Sequence, residues 1–271
     1  MSELLQIEFI DDHFTVDKSA EYQLLVRRGV HRSQMAIFNQ QNQLLLLLSW
    51  KKGKPEERVN QLLSLTYHSK IISVETKQKA LIPNNLYNSS QEIYYLNAFS
   101  LDKENHFLHT DDVKGFDAKC IYGVSLKEQQ QLLSDFSDFT VKSISTVILN
   151  TLARVTPEYK DYLSINFDDG YTDFTYISDG KLIYHHSHPS QNADEFNYFL
   201  LAIVQEYGID FSNVSMIVSG QIEPDDTNYQ RLRKYSDQLS FLDLSGIIDC
   251  RNFNILKKSY QKLALFGLLC G

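Results

Sequence analysis

The stretch INFDDGYTDF, residues 165–174, sets three carboxylates, a glycine and a threonine between two apolar runs. Three chemistries use such residues. A glycine turn lets backbone amides approach a phosphate, with Thr172 adding a hydroxyl. Paired acids hold a divalent cation, and Asp168, Asp169, Asp173 and Asp179 are the candidates for magnesium. A polar hairpin turn needs only Gly170 and short polar neighbours. The hairpin is preferred over the metal cluster. Successive strand residues face opposite ways, so Asp168 and Asp169 need not converge, and Asp179 sits in the SDG turn at the other end.

Other residues invite the same weighing. His186 and His188 fall on one strand face and His185 on the other, but no local third ligand joins them, so they read as surface histidines. Ser219-Gly220 lacks the flanking glycines of a nucleophile elbow. The basic run SWKKGK, residues 49–54, reads as a solvated hairpin end rather than an anion-binding patch. Cys120, Cys250 and Cys270 form no C-x-x-C pair, so they read as reduced structural thiols.

The elements that must position these residues recur. From Tyr22 the chain reads as strand, break near Gly29, strand to Phe38, NQQN turn and third strand. From Tyr162 it reads as strand, break near Gly170, strand to Ile177, SDG turn and third strand. An amphipathic helix follows each meander. In the second copy Phe196, Phe199, Leu200, Ile203, Val204 and Tyr207 share a face, Asn192 with Glu195 resembles a capping box, and Gly208 stops the helix. In the first, Val59, Leu62, Leu63 and Tyr67 do so. Further strands follow at residues 70–75 and 214–220.

A parallel return strand requires a helical crossover, so the pattern predicts two related α/β lobes with a ligand site between them. Between the copies lie the IPNN turn, a short helix over residues 90–99, strands over 106–111 and 118–124, and a helix opened by Ser125 with Glu128. Residues 147–155 read as a linking helix and Pro157 as the boundary, giving lobes 1–156 and 157–271. Residues 253–269 read as one amphipathic terminal helix packed on a lobe.

Composition narrows the partners. The 271 residues are 43% hydrophobic and 22% charged, enough for a sizeable core, and the longest apolar run, LLLLL at residues 44–48, is of strand length. A net charge of −8 opposes general attraction to nucleic acid or anionic lipid. The acidic amino terminus does not resemble a secretory signal, so a cytoplasmic location is expected, without membrane association. The 16 Tyr and 16 Phe read chiefly as core, with an aromatic contact surface as the second reading.

Two copies of this layout resemble the actin, sugar kinase and Hsp70 superfamily. The resemblance implies a duplicated ribonuclease H-like (actin-like ATPase) fold, α/β, with two lobes of mixed sheet and flanking helices. It also implies a phosphate turn whose strand ends in Asp, followed by glycines and Thr-Thr-Asp. Residues 166–173 match that turn: Gly170, Thr172 and Asp173 agree, Asn166 replaces the strand Asp, and Asp168 and Asp169 replace glycines. The equivalent acid and glycine of the first copy match Arg27, Arg28 and Gly29, where bases can meet phosphate but cannot hold magnesium. The adenosine turn matches Ser219, Gly220 and Gln221, with one glycine lost. The stretches ALIPNNLY, DGKLIYHHSH, DEFNYFLLAIVQEYGID and VSGQIEPDD also resemble an uncharacterised bacterial family of this fold, a domain of unknown function.

Decay at three elements leads to the expectation of a non-catalytic pseudo-ATPase acting through protein contacts. It would need no cofactor, would meet an unidentified protein partner, and could form a homodimer. The alternative is an ATP-dependent phosphotransferase or ATPase that uses ATP and magnesium, with Asp168, Asp169 or Asp173 as acids and Thr172 and Arg27 on phosphate. A ribonuclease H-like nuclease is the third reading, disfavoured by the negative charge.

Overall fold

Runs of leucine, valine and isoleucine bounded by Gly, Asn and Asp form strands, and both meanders do so. The computed structural model describes residues 5–51, 57–102, 104–136, 138–156, 160–168 and 170–271. Contacts divide the chain into two compact units. One holds Met1–Arg154 with Ile247–Asn252 and Ala264–Gly271; the other holds Val155–Gly246 with Phe253–Leu263. Pro157, the expected boundary, lies outside the described residues.

In the first unit β1 (Leu5–Ile10), β2 (Gln23–Arg28), β3 (Arg32–Phe38) and β4 (Leu44–Lys51) lead through α1 (Glu57–Ser64) to β5 (Ser69–Val74). After β6 (Lys79–Pro83), α2 (Glu92–Ala98), β7 (His106–Val113), β8 (Ala118–Ser125) and α3 (Leu126–Asp135) come β9 (Thr140–Ser143) and α4 (Ile144–Val155). The main sheet has the order β1-β4-β3-β2-β5-β9, and β6-β8-β7 form a small separate sheet. Leu44 to Leu48 are all buried, as a strand covered on both faces requires. At about 2 kcal/mol per buried leucine, that run is a leading hydrophobic contribution to the unit. Ser125 and Glu128 close a full capping box on α3.

The second unit contains β10 (Tyr162–Asp168), β11 (Tyr171–Ser178), β12 (Lys181–Pro189), α5 (Ala193–Tyr207), β13 (Ser215–Gly220), α6 (Thr227–Tyr235) and β14 (Leu239–Phe241). Its sheet has the order β12-β11-β10-β13-β14. Asn192 accepts from the amides of Asp194 and Glu195, while Glu195 reaches the amide of Gln191, so the expected box is only half formed. Gly208 ends α5 in the left-handed region at φ 61°.

The IPNN turn is present at residues 84–86, and its Ile82 and Pro83 end β6, which pairs with β8. One expectation is corrected. The terminal segment is not one helix: α7 (Phe253–Lys257) and α8 (Leu263–Phe266) alternate with 3-10 turns, Ser259–Lys262 and Gly267–Cys270. Residues 263–268 are all buried, so this end has no polar face to present along a single helix. Among the described residues no helix is long and apolar enough to cross a membrane.

Candidate functional site

The strand register aligns the polar residues of the second meander. Asn166 lies opposite Asp173 on β11 and Ser219 on β13, and Asp173 lies opposite Ser187 on β12. Directly opposed residues share a face, so these four form one row across the sheet. Their side chains close into a chain of hydrogen bonds. Ser219 Oγ donates to Asn166 Oδ1 at 3.0 Å, and Asn166 Nδ2 donates to Asp173 Oδ2 at 2.9 Å. Ser187 Oγ donates to Asp173 Oδ1. Asn166, Asp173 and Ser219 are at most 3% exposed, so the carboxylate is held away from water by two donors.

The neighbouring row lies on the other face. Phe167 lies opposite Thr172 and Gly220, and Thr172 opposite His188. Helix α5 covers this face with Phe196, which packs on Phe167 and Phe174 at ring distances of 5.1 and 5.9 Å. Thr172 Oγ1 is buried here without a hydrogen-bond partner. Thr172 and Asp173, adjacent in the phosphate-turn pattern, therefore face opposite sides of the sheet.

The two glycines act differently. Gly170 has φ +86° and open space about its Cβ position, so the turn alone requires it. Gly220 has φ +83°, and a Cβ there would lie 1.9 Å from the Phe167 carbonyl oxygen. That oxygen accepts from the amide of Gln221 at 2.6 Å. Close approach of β10 and β13 accounts for Gly220 without a ligand. Asp168 is half-buried at the end of β10, and Asp169 lies outside the described residues. Asp179 sits in the turn at the opposite end of β11, its amide bonded to Asp161.

His186 is exposed, as the surface reading expects, whereas His188 departs from it. His186 and His188 do share a face, with ring centres 4.7 Å apart. His188, however, stacks on Phe199 at 4.3 Å and meets the Tyr184 hydroxyl at 2.6 Å through Nε2. Burial, with His186 adding to it, lowers its pKa to about 4. The apolar period of α5, read with the β12 register, carries this placement in the sequence. Among the described residues no three His, Cys, Asp or Glu side chains are placed to share a metal ion.

The first unit repeats the row. Arg27 lies opposite Gln34 on β3 and Ser73 on β5, and Gln34 opposite Ser49 on β4. Arg27 thus stands where Asn166 stands, Gln34 where Asp173 stands, and Ser49 and Ser73 where Ser187 and Ser219 stand. Arg27 is 5% exposed; Arg28, on the opposite face, donates from Nη2 to Gln131 Oε1 at 2.6 Å. Gly29 is buried just beyond β2, at the position corresponding to Asp168.

Residues 11–239 match the family model described as Protein of unknown function (DUF3822). The chain belongs to this family. The DUF3822 chain is similar in structure to a Bacteroides thetaiotaomicron protein with an actin-like ATPase fold and unknown function. That similarity has a TM-score of 0.76 at 17% identity and covers 95% of this chain and 99% of the other. It is also similar to a chain of the PilM-PilN type IV pilus biogenesis complex, with a TM-score of 0.63 at 10% identity, covering 93% and 98%. The DUF3822 chain has the actin-like ATPase fold. No curated protein matches its sequence.

Proposed function

We propose that this DUF3822 protein is a pseudo-ATPase: an actin-like-fold protein without nucleotide chemistry that acts through contacts with another protein. The observation that carries the proposal is the closed row Ser219–Asn166–Asp173–Ser187. Asp173, which the superfamily resemblance would assign to a metal or its water, accepts from Asn166 and Ser187 inside the sheet. Asn166 is neutral where an acid would be needed, and Arg27 takes the equivalent place in the first unit. A cation gains little at a site with a base and an amide in place of its acids. On this reading Arg27, Arg28, Gly29, Asn166, Asp168, Asp169, Gly170, Thr172, Asp173, Ser219 and Gly220 are the relic of a nucleotide site.

The PilM-PilN similarity supports a protein partner, because that fold relative is itself found in a complex. A cytoplasmic location and self-association belong to the same proposal. One observation favours the alternative of an active phosphotransferase: the buried Thr172 hydroxyl without a partner. Calorimetric titration with ATP and magnesium separates the two readings. No saturable heat and no hydrolysis are expected; tight binding together with hydrolysis abolished by Asp168→Ala would overturn the pseudo-ATPase reading.

A further inference from the structure

The two meanders carry opposite charge. No Asp or Glu occurs between Glu21 and Glu56, a stretch that contains Arg27, Arg28, Arg32 and Lys51, whereas the second meander carries Asp168, Asp169, Asp173 and Asp179. In a chain of net charge −8 an acid-free meander of this length runs against the overall balance. The fold gathers its cations. Arg32 opens β3 directly opposite Lys51, the last residue of β4, so two cations face each other across adjacent strands. Like charges so placed repel unless an anion lies between or above them.

Arg27 shares that face, because it lies opposite Gln34 and Gln34 is two residues from Arg32. Arg32 Nη2 donates to the buried Ser49 Oγ at 3.1 Å, which fixes the guanidinium on this face and leaves further donors of its fork. Among the described residues no carboxylate pairs with Arg32 or Lys51. Gly29, beyond the end of β2, puts no side chain beside them.

We infer that this end of the first unit's sheet binds a small phosphate-type oxyanion through Arg32 and Lys51, without a divalent cation. Arginine and lysine here supply the positive charge that a metal supplies where acids line the site. The inference is independent of the pseudo-ATPase reading: it requires neither nucleotide nor hydrolysis.

The test is calorimetric titration of the full chain with inorganic pyrophosphate in EDTA, with ionic strength held constant by sodium chloride. One saturable site is expected, weakened about tenfold or more by Lys51→Gln and lost in the Arg32→Gln, Lys51→Gln pair. Lys51 is exposed, so its variant keeps the fold and the test stands even if the pair is unstable. Lys181→Gln, an exposed change in the other unit, should leave binding unaltered. Absence of saturable binding, or equal affinity in Lys51→Gln, overturns the inference. Binding that appears only when magnesium replaces EDTA overturns it too, and counts against the pseudo-ATPase reading as well.

Discussion

Asn166 bridges Ser219 and Asp173, accepting a hydrogen bond from the serine hydroxyl on its carbonyl oxygen and donating one to the carboxylate from its amide nitrogen. A side-chain amide can do both at once; an ionised carboxylate can only accept. The neutral amide at position 166 is therefore what completes the buried row.

Asn166→Asp should destabilise the protein at neutral pH by about 3–5 kcal/mol, the scale of an uncompensated buried charge. Two carboxylates would face each other where a donor now meets an acceptor. Urea denaturation at pH 7.5 and pH 5 checks this. The deficit should shrink at the lower pH, where one carboxyl takes up a proton and donates it to its neighbour. A variant as stable as the parent at both pH values would show that the row does not hold Asp173.

The glycines provide a paired experiment. Gly170→Ala adds a methyl to open space and incurs only the left-handed backbone cost, about 1 kcal/mol. Gly220→Ala incurs the same cost and drives its methyl into the Phe167 carbonyl, so about 3 kcal/mol or more is expected. Denaturation midpoints of the two variants measure the difference. Equal effects would mean that β10 and β13 do not need their close approach.

The sequence made the repeat legible because both meanders are broken by turns of Gly, Asn or Asp and each is followed by an apolar stripe at helical spacing. Ser49 with Ser187, and Ser73 with Ser219, could not be recognised as equivalent, because their equivalence resides in strand register. That Thr172 and Asp173 part to opposite faces, by contrast, follows from strand alternation once both lie inside one strand. The broken terminal segment was hidden for another reason: its apolar spacing fits a helix, but all-round burial decides its course. The enclosure of His188 is not legible in linear order, because Phe199 and Tyr184 reach it from a helix and from its own strand at once.

His188 makes stability depend on pH. Its folded pKa, about 4, is below the ordinary value of 6.5, so between these values the unfolded chain binds the proton more readily. The contribution is fully present above pH 6.5 and is lost as pH falls from 6.5 toward 4. The groups around the ring are Phe174, Phe199, Tyr184 and His186, with Asp173 on the neighbouring strand drawing the pKa partly back. Midpoints measured from pH 7.5 to pH 4 should fall less steeply in His188→Gln than in the parent. Parallel curves would exclude this histidine as a source of the dependence.

Glu223 joins the loop after β13 to the terminal segment of the same unit. Its carboxylate accepts from Lys258 Nζ at 2.6 Å, Gln261 Nε2 at 2.8 Å and the Tyr260 hydroxyl at 3.3 Å. The hydrogen bond from Lys258 leads in holding its pKa below the usual carboxylate value. A depressed carboxylate stabilises above its unfolded pKa, and that contribution disappears as pH falls through the folded value. Tyr260 also packs on Phe241 at 4.3 Å, so the apolar contact persists when the acid is removed. Glu223→Ala should consequently cost only about 1 kcal/mol in global stability, as expected for a partly exposed ion-pair network. Its effect should be local. Hydrogen exchange should accelerate in Phe253–Leu263 and in the loop after Gly220, while α5 keeps its protection. Unchanged exchange in Phe253–Leu263 would mean that the Phe241–Tyr260 packing alone anchors the segment.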